Sequence, residues 1–335
     1  MKTNWLKPLI FIFIIFNVFM FFSTPTVAST MGNTCPKDMV FIPGGTFKIG
    51  SDSHYPSEST AEDVSVDGFC IHQYEITNSE FAQFVTATGY VTVAERPLSQ
   101  EQFPNLSDEQ LQPGSLVFEM VDKDAQNISY LSWWKWVPGA NWQHPFGPDS
   151  NIKGKDTYPV VQVAYEDVEA YAKWAELSLP TEAQWEYAAR GGLDDTTYSW
   201  GDQYSATKAN TWQGIFPFFN TKADGYVGTA PVGSFEANSY GLYDITGNVW
   251  EWTADWFSMG HQDKSHTHNP TGPSQQESLD PREPGVVKHV IKGGSYLCAP
   301  NFCSRYRPAA RESQSADTGT THIGFRLVKN LSAAT

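Results

Sequence analysis

Residues 179–192 read LPTEAQWEYAARGG and carry the clearest helix signal in this chain of 335 residues. Thr181 is followed three residues later by Gln184, which is the spacing of a reciprocal N-terminal capping box. Trp185 and the alanines after it form an apolar stripe at helical spacing, and Gly191 ends the pattern. The stretch therefore predicts a short helix with one buried face.

Two further helices are predicted upstream of this stretch. Thr77 and Glu80 form another capping box, and the apolar residues after them predict a helix that ends near Gly89. Residues 166–175 repeat apolar side chains at helical spacing. We therefore expect few and short helices in a chain of this length.

The predicted strands are also short. Residues 39–50 read MVFIPGGTFKIG and predict a hairpin that turns at Pro43-Gly44-Gly45. Residues 160–163 predict a buried strand, and residues 323–328 predict a closing strand. Between them, residues 91–158 show little periodicity but hold several tryptophans, which predicts long irregular structure over a core.

The composition is typical of one large domain built from many short elements. Aromatic residues make up 14% of the chain, which also has 26 glycines and 21 prolines but no segment that resembles a linker. The net charge of −15 opposes binding to nucleic acid or to anionic lipid surfaces. We therefore expect no nucleic-acid partner.

The N-terminus has the pattern of a signal peptide. Lys2 and Lys7 precede an apolar run within residues 9–22, and the small residues Thr26-Val27-Ala28 follow. The run is shorter than the roughly 20 residues that a spanning helix needs. We expect a signal peptide at residues 1–28, a single domain at residues 29–335 and no stable membrane anchor. An uncleaved N-terminal anchor is the alternative.

An exported protein of this kind belongs in the periplasm, the medium or the lumen of a secretory pathway, where disulfides form. The four cysteines would ordinarily be interpreted as two disulfides, with three possible pairings. Cys35 and Cys70 are far apart in the N-terminal region, whereas Cys298 and Cys303 are separated by four residues near the C-terminus. The unequal spacing suggests two different roles.

Two more motifs accompany the helix stretch at residues 179–192. Residues 241–252 read GLYDITGNVWEW, and residues 324–326 read GFR. Together and in this order they resemble the sulfatase-modifying-factor family over about residues 39–328. The resemblance implies an α+β fold of the formylglycine-generating enzyme type, irregular and mixed, with a C-type-lectin-like core and little regular secondary structure.

Residues 293–311 read GGSYLCAPNFCSRYRPAAR and resemble the active-site segment of formylglycine-generating enzymes. The resemblance makes Cys298 and Cys303 the two active-site cysteines and Ser295 a catalytic-pocket residue. It implies an oxidoreductase that converts a cysteine in a Cys-x-Pro-x-Arg segment of a client sulfatase to Cα-formylglycine, using oxygen and a thiol reductant. The client would be extended or unfolded, and the enzyme a monomer.

The implied cofactor is copper(I) held by Cys298 and Cys303. Copper(I) is a soft ion that prefers thiolates, and two thiolates leave coordination positions open for a client thiolate and oxygen. An ordinary disulfide between the same two cysteines is the alternative, and their spacing alone favours it. The surrounding motif favours the copper interpretation. Cys35 and Cys70 are assigned to a structural disulfide.

The resemblance also implies two structural calcium sites in loops. The ligands of the first are Asn210, the carbonyl of Thr211, Asp224 and the carbonyl of Tyr226. The ligands of the second are Asp244, the carbonyls of Gly247 and Val249, and Glu251. Calcium prefers such oxygen ligands. In the alternative, Asn210 and Asp224 cap turns and Glu251 pairs with an arginine.

The residues expected around the substrate pocket are Trp250, Tyr296, Arg305, Arg307 and His322. The arginines would favour the thiolate form of the cysteines, and core packing is the alternative role for Trp250. At Thr321-His322 the family commonly has Ser-Asn, so client specificity or proton handling would differ here.

Two other functions compete with the oxidase. A calcium-stabilised, lectin-like binding module without catalysis would use the paired cysteines only as a structural element. An iron-dependent sulfoxide synthase would need a helical bundle with histidine ligands, and no segment of the sequence predicts one. The complete cysteine motif favours the oxidase.

Overall fold

Regular elements are short and lie between long loops in the computed structural model, which describes Met1 and residues 34–101, 104–108, 111–261 and 267–331. The helices are α1 (Asn78–Thr88), α2 (Tyr130–Trp133), α3 (Tyr165–Trp174) and α4 (Glu182–Arg190). The strands are β1 (Met39–Ile42), β2 (Gly45–Ile49), β3 (Glu62–Val66), β4 (Phe69–His72), β5 (Gly114–Phe118), β6 (Trp134–Pro138), β7 (Gly214–Ile215), β8 (Phe219–Asn220), β9 (Trp250–Trp256), β10 (Lys288–Lys292), β11 (Arg311–Ser315), β12 (Ile323–Gly324) and β13 (Val328–Asn330). This sparse mixture of helices and strands agrees with the expected α+β class.

The helix predicted from the LPTEAQWEYAARGG stretch is confirmed as α4. The Thr181 hydroxyl accepts the Gln184 amide at 3.1 Å, and the Gln184 side chain accepts the Thr181 amide at 3.1 Å. These bonds satisfy two amides that a helix N-terminus otherwise leaves unpaired. Gly191 closes the helix with φ of 60°, and Trp185 is completely buried.

The other two predicted helices are confirmed as α1 and α3. The capping box of Thr77 and Glu80 opens α1, and Gly89 ends it with φ of 67°. Residues 166–175 were predicted for α3, which the structure places at Tyr165–Trp174. The helices pack their apolar faces into one cluster, in which Phe81 and Tyr171 stack with ring centroids 5.8 Å apart.

The predicted hairpin at residues 39–50 is wrong, because β1 and β2 join different sheets. β1 pairs antiparallel with β4, and β2 pairs antiparallel with β3. The Pro-Gly-Gly turn carries the chain from one sheet to the next. A Cβ at Gly44 would lie 2.7 Å from the Val66 carbonyl oxygen, so glycine lets the crossing chain pass close to the end of β3.

The predicted strand at residues 160–163 is also wrong. The backbone bonds go to separate segments, with the Val160 amide on Ile76 and the Gln162 amide on Thr320. Gln162 has φ of 62°, which interrupts an extended conformation. The predicted closing strand is divided into β12 and β13.

Two sheets organise the described part of the domain. The larger has the strand order β11-β10-β9-β12, and the smaller has the order β1-β4-β13. β12 runs parallel to β9, and Ile323 pairs with Trp250 in that register. The chain enters the cysteine-containing loop directly from β10, so the larger sheet positions that loop.

A buried ionic network ties α4 to the larger sheet. Lys292 donates to Glu186 at 2.9 Å, and Arg311 donates to Glu182 at 2.9 Å. Burial alone would raise the pKa of Glu182, but the positive charges of Arg311 and Lys292 hold that pKa below its ordinary value. The helix and strands β10 and β11 are therefore coupled by paired buried charges.

Cys35 and Cys70 form a disulfide that joins the N-terminal end of the described domain to β4. The predicted signal peptide at residues 1–28 lies outside the described residues, apart from Met1, and stays a prediction together with the domain boundary at residue 29. Within the described ranges, no helix has the length and apolar character needed to cross a membrane.

Candidate active site

The loop with both C-terminal cysteines begins at a double glycine after β10. Gly293 and Gly294 have φ of 93° and 74°. A Cβ at Gly294 would lie 2.9 Å from the backbone nitrogen and Cα of Tyr306, so the outgoing and returning parts of the loop touch at this point. Only glycine fits both the backbone conformation and the close approach without strain.

Backbone hydrogen bonds hold both cysteines inside the loop. The Cys298 amide donates to the Ser295 carbonyl at 2.9 Å, and the Cys303 amide donates to the Ala299 carbonyl at 2.8 Å. The Cys298 carbonyl accepts the Trp212 amide at 2.9 Å. The two thiols are thus positioned by main chain, independently of any bond between them.

Cys298 and Cys303 are buried free thiols whose sulfurs lie 2.9 Å apart. This separation lets one thiol donate a hydrogen bond to the other. Two adjacent sulfur donors also match the preference of copper(I) for soft ligands, so the donor set fits the implied cofactor. The alternative disulfide between Cys298 and Cys303 is not formed in the structure, whereas the disulfide assigned to Cys35 and Cys70 is.

The two thiols differ in acidity. Burial raises the pKa of the Cys298 thiol well above its ordinary value. The hydrogen bond from Cys298, helped by the positive charge of Arg305, lowers the pKa of Cys303 to about 7. Cys303 is therefore the sulfur that ionises first, whereas Cys298 keeps its proton and donates a hydrogen bond to the Cys303 sulfur.

Arg305 is fixed beside Cys303 by two neighbours. Its guanidinium lies 3.9 Å from the centroid of the Tyr55 ring, in a cation–π contact, and 3.2 Å from a carboxylate oxygen of Glu312. From this position the positive charge of Arg305 lowers the pKa of Cys303 and so favours its thiolate.

Arg307, the second predicted arginine, is engaged elsewhere. It makes two hydrogen bonds to the buried carboxylate of Glu58, at 2.9 and 2.6 Å. This bidentate pair joins the cysteine loop to the segment that carries Tyr55. Arg307 thus supports the wall behind Arg305, and neither thiol is among its hydrogen-bond partners in the described residues.

Ser295 and Tyr296 occupy the buried start of the loop. The Ser295 hydroxyl oxygen accepts the Leu297 amide at 3.2 Å, which stabilises the turn before Cys298. Burial raises the pKa of Tyr296 to about 12, so its phenol keeps a proton and donates to the Thr321 carbonyl at 3.3 Å. Tyr296 therefore connects the cysteine loop to Thr321-His322, where the chain departs from the family pattern.

Trp250 and His322 are neighbours, because the Trp250 amide donates to the His322 carbonyl at 2.8 Å. Trp250 is 4% exposed and belongs to the same buried cluster as both free cysteines. Burial lowers the pKa of His322 to about 3, so the imidazole is neutral at neutral pH. Its ring packs at a tilt against Trp134, with centroids 4.9 Å apart.

An aromatic cluster with one exposed ring lies at the cysteine loop. Phe302 is 52% exposed and stacks on Phe216 at 4.3 Å between ring centroids. Trp133 packs edge-on against Phe302 at 5.6 Å. We call these three residues the aromatic platform. The tryptophan-rich region suggested a peptide-binding role, whereas nothing in the sequence marked Phe302, which stands between the two cysteines.

The residues of the first predicted calcium site lie close together. The amides of Thr211 and Tyr226 donate to the Asp224 carboxylate at 3.2 and 3.0 Å. The Asn210 amide nitrogen donates to Gly228 and Asn248, which leaves the Asn210 Oδ1 as its remaining acceptor. Asp224 therefore caps a turn, which was the alternative role predicted for it. The oxygens of the first predicted calcium site lie in the same loop.

The second predicted calcium site contains buried oxygens without partners. Asp244 Oδ1 makes no hydrogen bond among the described residues, and neither does Oε2 of Glu75. Burial raises the pKa of Asp244 to about 6, and burial together with the charge of Asp244 raises the pKa of Glu75 well above its ordinary value. Two neighbouring carboxylates, each with one oxygen that lacks a partner, fit a bound cation.

Glu75 was missed in the sequence. It stands between Tyr74 and Ile76, and the flanking apolar residues were the only signal for a buried carboxylate. Glu251, in contrast, was predicted as a ligand but is already paired. Its two oxygens accept hydrogen bonds from Arg326 at 2.7 and 2.8 Å, which is the arginine pairing that was the alternative.

Backbone contacts join the second predicted calcium site to the cysteine loop. The Gly247 amide donates to the Gly293 carbonyl at 2.9 Å, and the Tyr296 amide donates to the Asn248 carbonyl at 2.9 Å. Val249 is completely buried. The segment at residues 244–251 therefore fixes the start of the loop that carries Cys298.

Comparisons with known proteins agree with this architecture. The profile of the sulfatase-modifying factor enzyme 1-like domain matches residues 24–331. The formylglycine-generating enzyme of Mycobacterium tuberculosis is 50% identical over 295 residues, covering 87% of this chain and 97% of the relative. That of Mus musculus is 42% identical over 294 residues, covering 86% of this chain and 74% of the relative. The solved structure of PvdO from Pseudomonas aeruginosa superposes with a TM-score of 0.58 at 25% identity, covering 88% of this chain and 96% of PvdO.

Proposed function

This chain belongs to the family of the sulfatase-modifying factor enzyme 1-like domain, and we propose that it is a formylglycine-generating oxidase acting on client sulfatases. Family membership alone leaves non-catalytic binding open as a function. The observation that supports catalysis is the pair of buried free thiols of Cys298 and Cys303, 2.9 Å apart in a loop fixed by main-chain bonds.

The proposed reaction converts the client CH2–SH group to an aldehyde. The client loses one hydrogen from its carbon and one from its sulfur to become a thioaldehyde, and the sulfur leaves as hydrogen sulfide after water adds to that group. Oxygen accepts four electrons and becomes water. Two of these electrons come from the client and two from a thiol reductant, which becomes a disulfide. The protein must therefore admit a thiol and oxygen to one buried position.

Cys298 and Cys303 would hold copper(I). When bound, copper supplies the one-electron chemistry that a thiol and oxygen need to react with each other. The chain prepares the two sulfurs for this role. Arg305 favours the Cys303 thiolate, and the Cys298 proton must leave before both sulfurs can act as thiolate ligands.

Burial of the sulfurs protects the reaction. Cys298 and Cys303 are 2% and 8% exposed, so water and unrelated thiols reach them poorly. Trp250 and Tyr306 belong to the same apolar cluster and help to exclude solvent. The chain contributes orientation and exclusion, both of which lower the barrier without adding reactive groups.

The client segment would dock on the aromatic platform of Phe302, Phe216 and Trp133. Half of the Phe302 side chain is exposed although it lies between the two cysteines in sequence. An extended Cys-x-Pro-x-Arg segment can place its proline on such rings while its cysteine enters the loop. His322, whose carbonyl accepts the Trp250 amide, packs against Trp134 at the position where the chain departs from the family pattern.

Calcium would stabilise the loops at both predicted sites. At the second site, Asp244 and Glu75 supply buried oxygens that otherwise lack partners in the described residues. The carbonyls of Gly247 and Val249 complete the proposed set. Because the Gly247 amide is bonded to Gly293, calcium there would hold the start of the cysteine loop in place.

We also propose that the protein works outside the reducing cytosol. The Cys35–Cys70 disulfide supports this location, since disulfides persist mainly in oxidising compartments. The predicted signal peptide agrees with it.

Mass spectrometry of a Cys-x-Pro-x-Arg peptide tests the proposed oxidase. Copper-loaded protein with oxygen and a thiol reductant is expected to convert the peptide cysteine to the aldehyde. Cys298→Ser and Cys303→Ser should each abolish conversion. The control is the Cys35→Ser/Cys70→Ser double variant, which makes the same substitution at the other two cysteines. It should retain turnover per folded molecule. Peptide left unmodified by copper-loaded protein would favour the binding-module alternative.

A further inference from the structure

A histidine on β10 has a buried ring nitrogen with no partner. His289 Nδ1 lies 3.2 Å from the carbonyl oxygen of Asp255, which can only accept, so Nδ1 carries the proton. Nε2 is then a lone-pair acceptor. It makes no hydrogen bond with any described residue, although His289 is only 2% exposed. An unsatisfied buried acceptor is costly unless something donates to it.

Two aromatic side chains restrict where a donor can approach. The imidazole stacks on Tyr165, at 3.5 Å between ring centroids, and packs at a tilt against Trp256, at 3.8 Å. These rings cover the faces of the imidazole, so a donor must approach Nε2 along the ring edge. Burial lowers the pKa of His289 to about 4, which keeps the imidazole neutral and Nε2 an acceptor at neutral pH.

His289 lines a surface cavity of about 470 Å³ whose charged lining is acidic. The carboxylates are Glu166, Glu169 and Asp317, and no lysine or arginine among the described residues lines the cavity. Glu166 is exposed, and its carboxylate pairs with the Arg96 guanidinium at 2.7 Å. Burial and the nearby charge of Glu166 raise the pKa of Glu169. We call this cavity the His289 pocket.

We propose that the His289 pocket binds an alkylammonium or guanidinium group. His289 Nε2 is an acceptor and the charged side chains that line the pocket are carboxylates, so a ligand that reaches both must donate hydrogen bonds and is favoured by a positive charge. The Tyr165 and Trp256 walls suit the alkyl part of such a ligand. A metal ion fits less well, because no cluster of three or more histidine, cysteine or acidic side chains in the described ranges could hold one.

The pocket lies outside the cysteine site, and the proposal does not depend on the oxidase. Two sources can supply the cation: a basic side chain of a client polypeptide or a free small amine. Both present the same N–H donors to His289 Nε2, so separate experiments are needed to distinguish them.

Nitrogen NMR of protein labelled at histidine tests the shared chemistry. Agmatine, which carries ammonium and guanidinium groups, should shift the His289 Nε2 resonance. Butylurea, which has N–H donors but no charge, should bind about tenfold or more weakly. The Glu169→Gln/Asp317→Asn variant should weaken agmatine about fivefold, whereas Glu176→Gln, an exposed carboxylate beyond the pocket, should not.

Several results would overturn the proposal. Agmatine at millimolar concentration also perturbs exposed residues through weak, non-specific contacts, so only a shift of the His289 Nε2 resonance is taken as binding in the pocket. No shift there, equal binding of butylurea, or equal effects of the double variant and Glu176→Gln would each reject a cation pocket.

A second arm identifies the source of the cation. A client peptide with serine in place of its cysteine, extended by a distal lysine, is compared with the same peptide acetylated at that lysine. Stronger binding of the lysine form, lost in Glu169→Gln/Asp317→Asn, assigns the pocket to the client. Equal binding together with an agmatine response assigns it to a free amine. Because no oxidation is measured, failure of the oxidase proposal leaves this test intact.

Discussion

The ionisation of Cys303 depends on two side chains, Cys298 and Arg305. A positive charge beside a thiol favours the charged thiolate, so its removal must raise the pKa. Arg305→Gln in copper-free, reduced protein is therefore expected to raise the pKa of Cys303 from about 7 by about 1. The pH dependence of ultraviolet thiolate absorbance, taken as the difference from Cys303→Ser, measures the change.

Arg96→Gln is the matched control, since its guanidinium pairs with Glu166 on the surface. It should leave the thiolate titration unchanged. Because copper binds the thiolate form of Cys303, we also predict that copper loading weakens as pH falls through about 7, where protons compete for this sulfur. An unshifted titration in Arg305→Gln would mean that the arginine only packs against Tyr55.

Phe302 is a residue at which binding and chemistry can be separated. Phe302→Ala removes the exposed ring of the aromatic platform but leaves both sulfurs in place. We expect KM for a client peptide to rise about tenfold with little change in kcat, because uniform binding is lost. Steady-state kinetics measure both constants. Phe41→Ala, an exposed phenylalanine on β1, is the control, and an equal rise in KM there would contradict the platform.

At the scale of elements, buried charges couple α4 to the larger sheet. Lys292 is completely buried between Glu182 and Glu186, so Lys292→Met removes one of the positive charges that compensate these buried carboxylates. The variant should lose about 3–5 kcal/mol of unfolding free energy. Urea unfolding measures the loss. Lys173→Met on the exposed side of α3 should change stability by less than about 0.5 kcal/mol, and similar losses in both variants would refute the coupling.

The loop that holds Glu75 and Asp244 gives a pH-dependent prediction. The pKa of Asp244 is raised to about 6 in the fold, so the folded state binds more protons than the unfolded state between about pH 4 and 6. Without calcium, stability from this group is therefore lost as pH rises through that window. Calcium at a hundredfold excess over its Kd should restore about 2.7 kcal/mol at neutral pH.

Calorimetry with and without calcium at pH 5 and pH 7 tests this dependence. The calcium-induced rise in Tm should be larger at pH 7. Glu75→Gln should reduce that rise, because the variant lacks one of the carboxylate oxygens proposed to bind calcium. Glu176→Gln serves as the exposed control. A calcium response that does not change with pH or with Glu75→Gln would show that the ion binds elsewhere.

Across the whole molecule, sequence patterns predicted the features that depend on hydrogen bonds between residues close together in the chain. α1 and α4 follow from capping boxes and glycine stops, each of which lies within about a dozen consecutive residues. The cysteine loop was likewise found as one contiguous stretch, residues 293–311. These features need no knowledge of distant partners.

Long-range pairing explains what the sequence could not show. β1 and β2 look like a hairpin, but their partners β4 and β3 lie further along the chain and compete for the same backbone groups. The Glu58 partner of Arg307 is 249 residues away, and the partner of Glu251, Arg326, is 75 residues away. Such contacts, and the burial of Glu75, exist only once the irregular loops have been assembled.

We propose that the Cys298–Cys303 pair is a copper-dependent oxidase site, and a titration with copper tests this proposal. Metal-free protein is titrated with copper(I), and aldehyde formed on a client peptide is measured at each addition. We predict activity that rises in proportion to copper and levels off at one ion per chain, with no rise in Cys298→Ser or Cys303→Ser. Activity that persists in chelated protein, or that rises equally in both variants, would contradict the account.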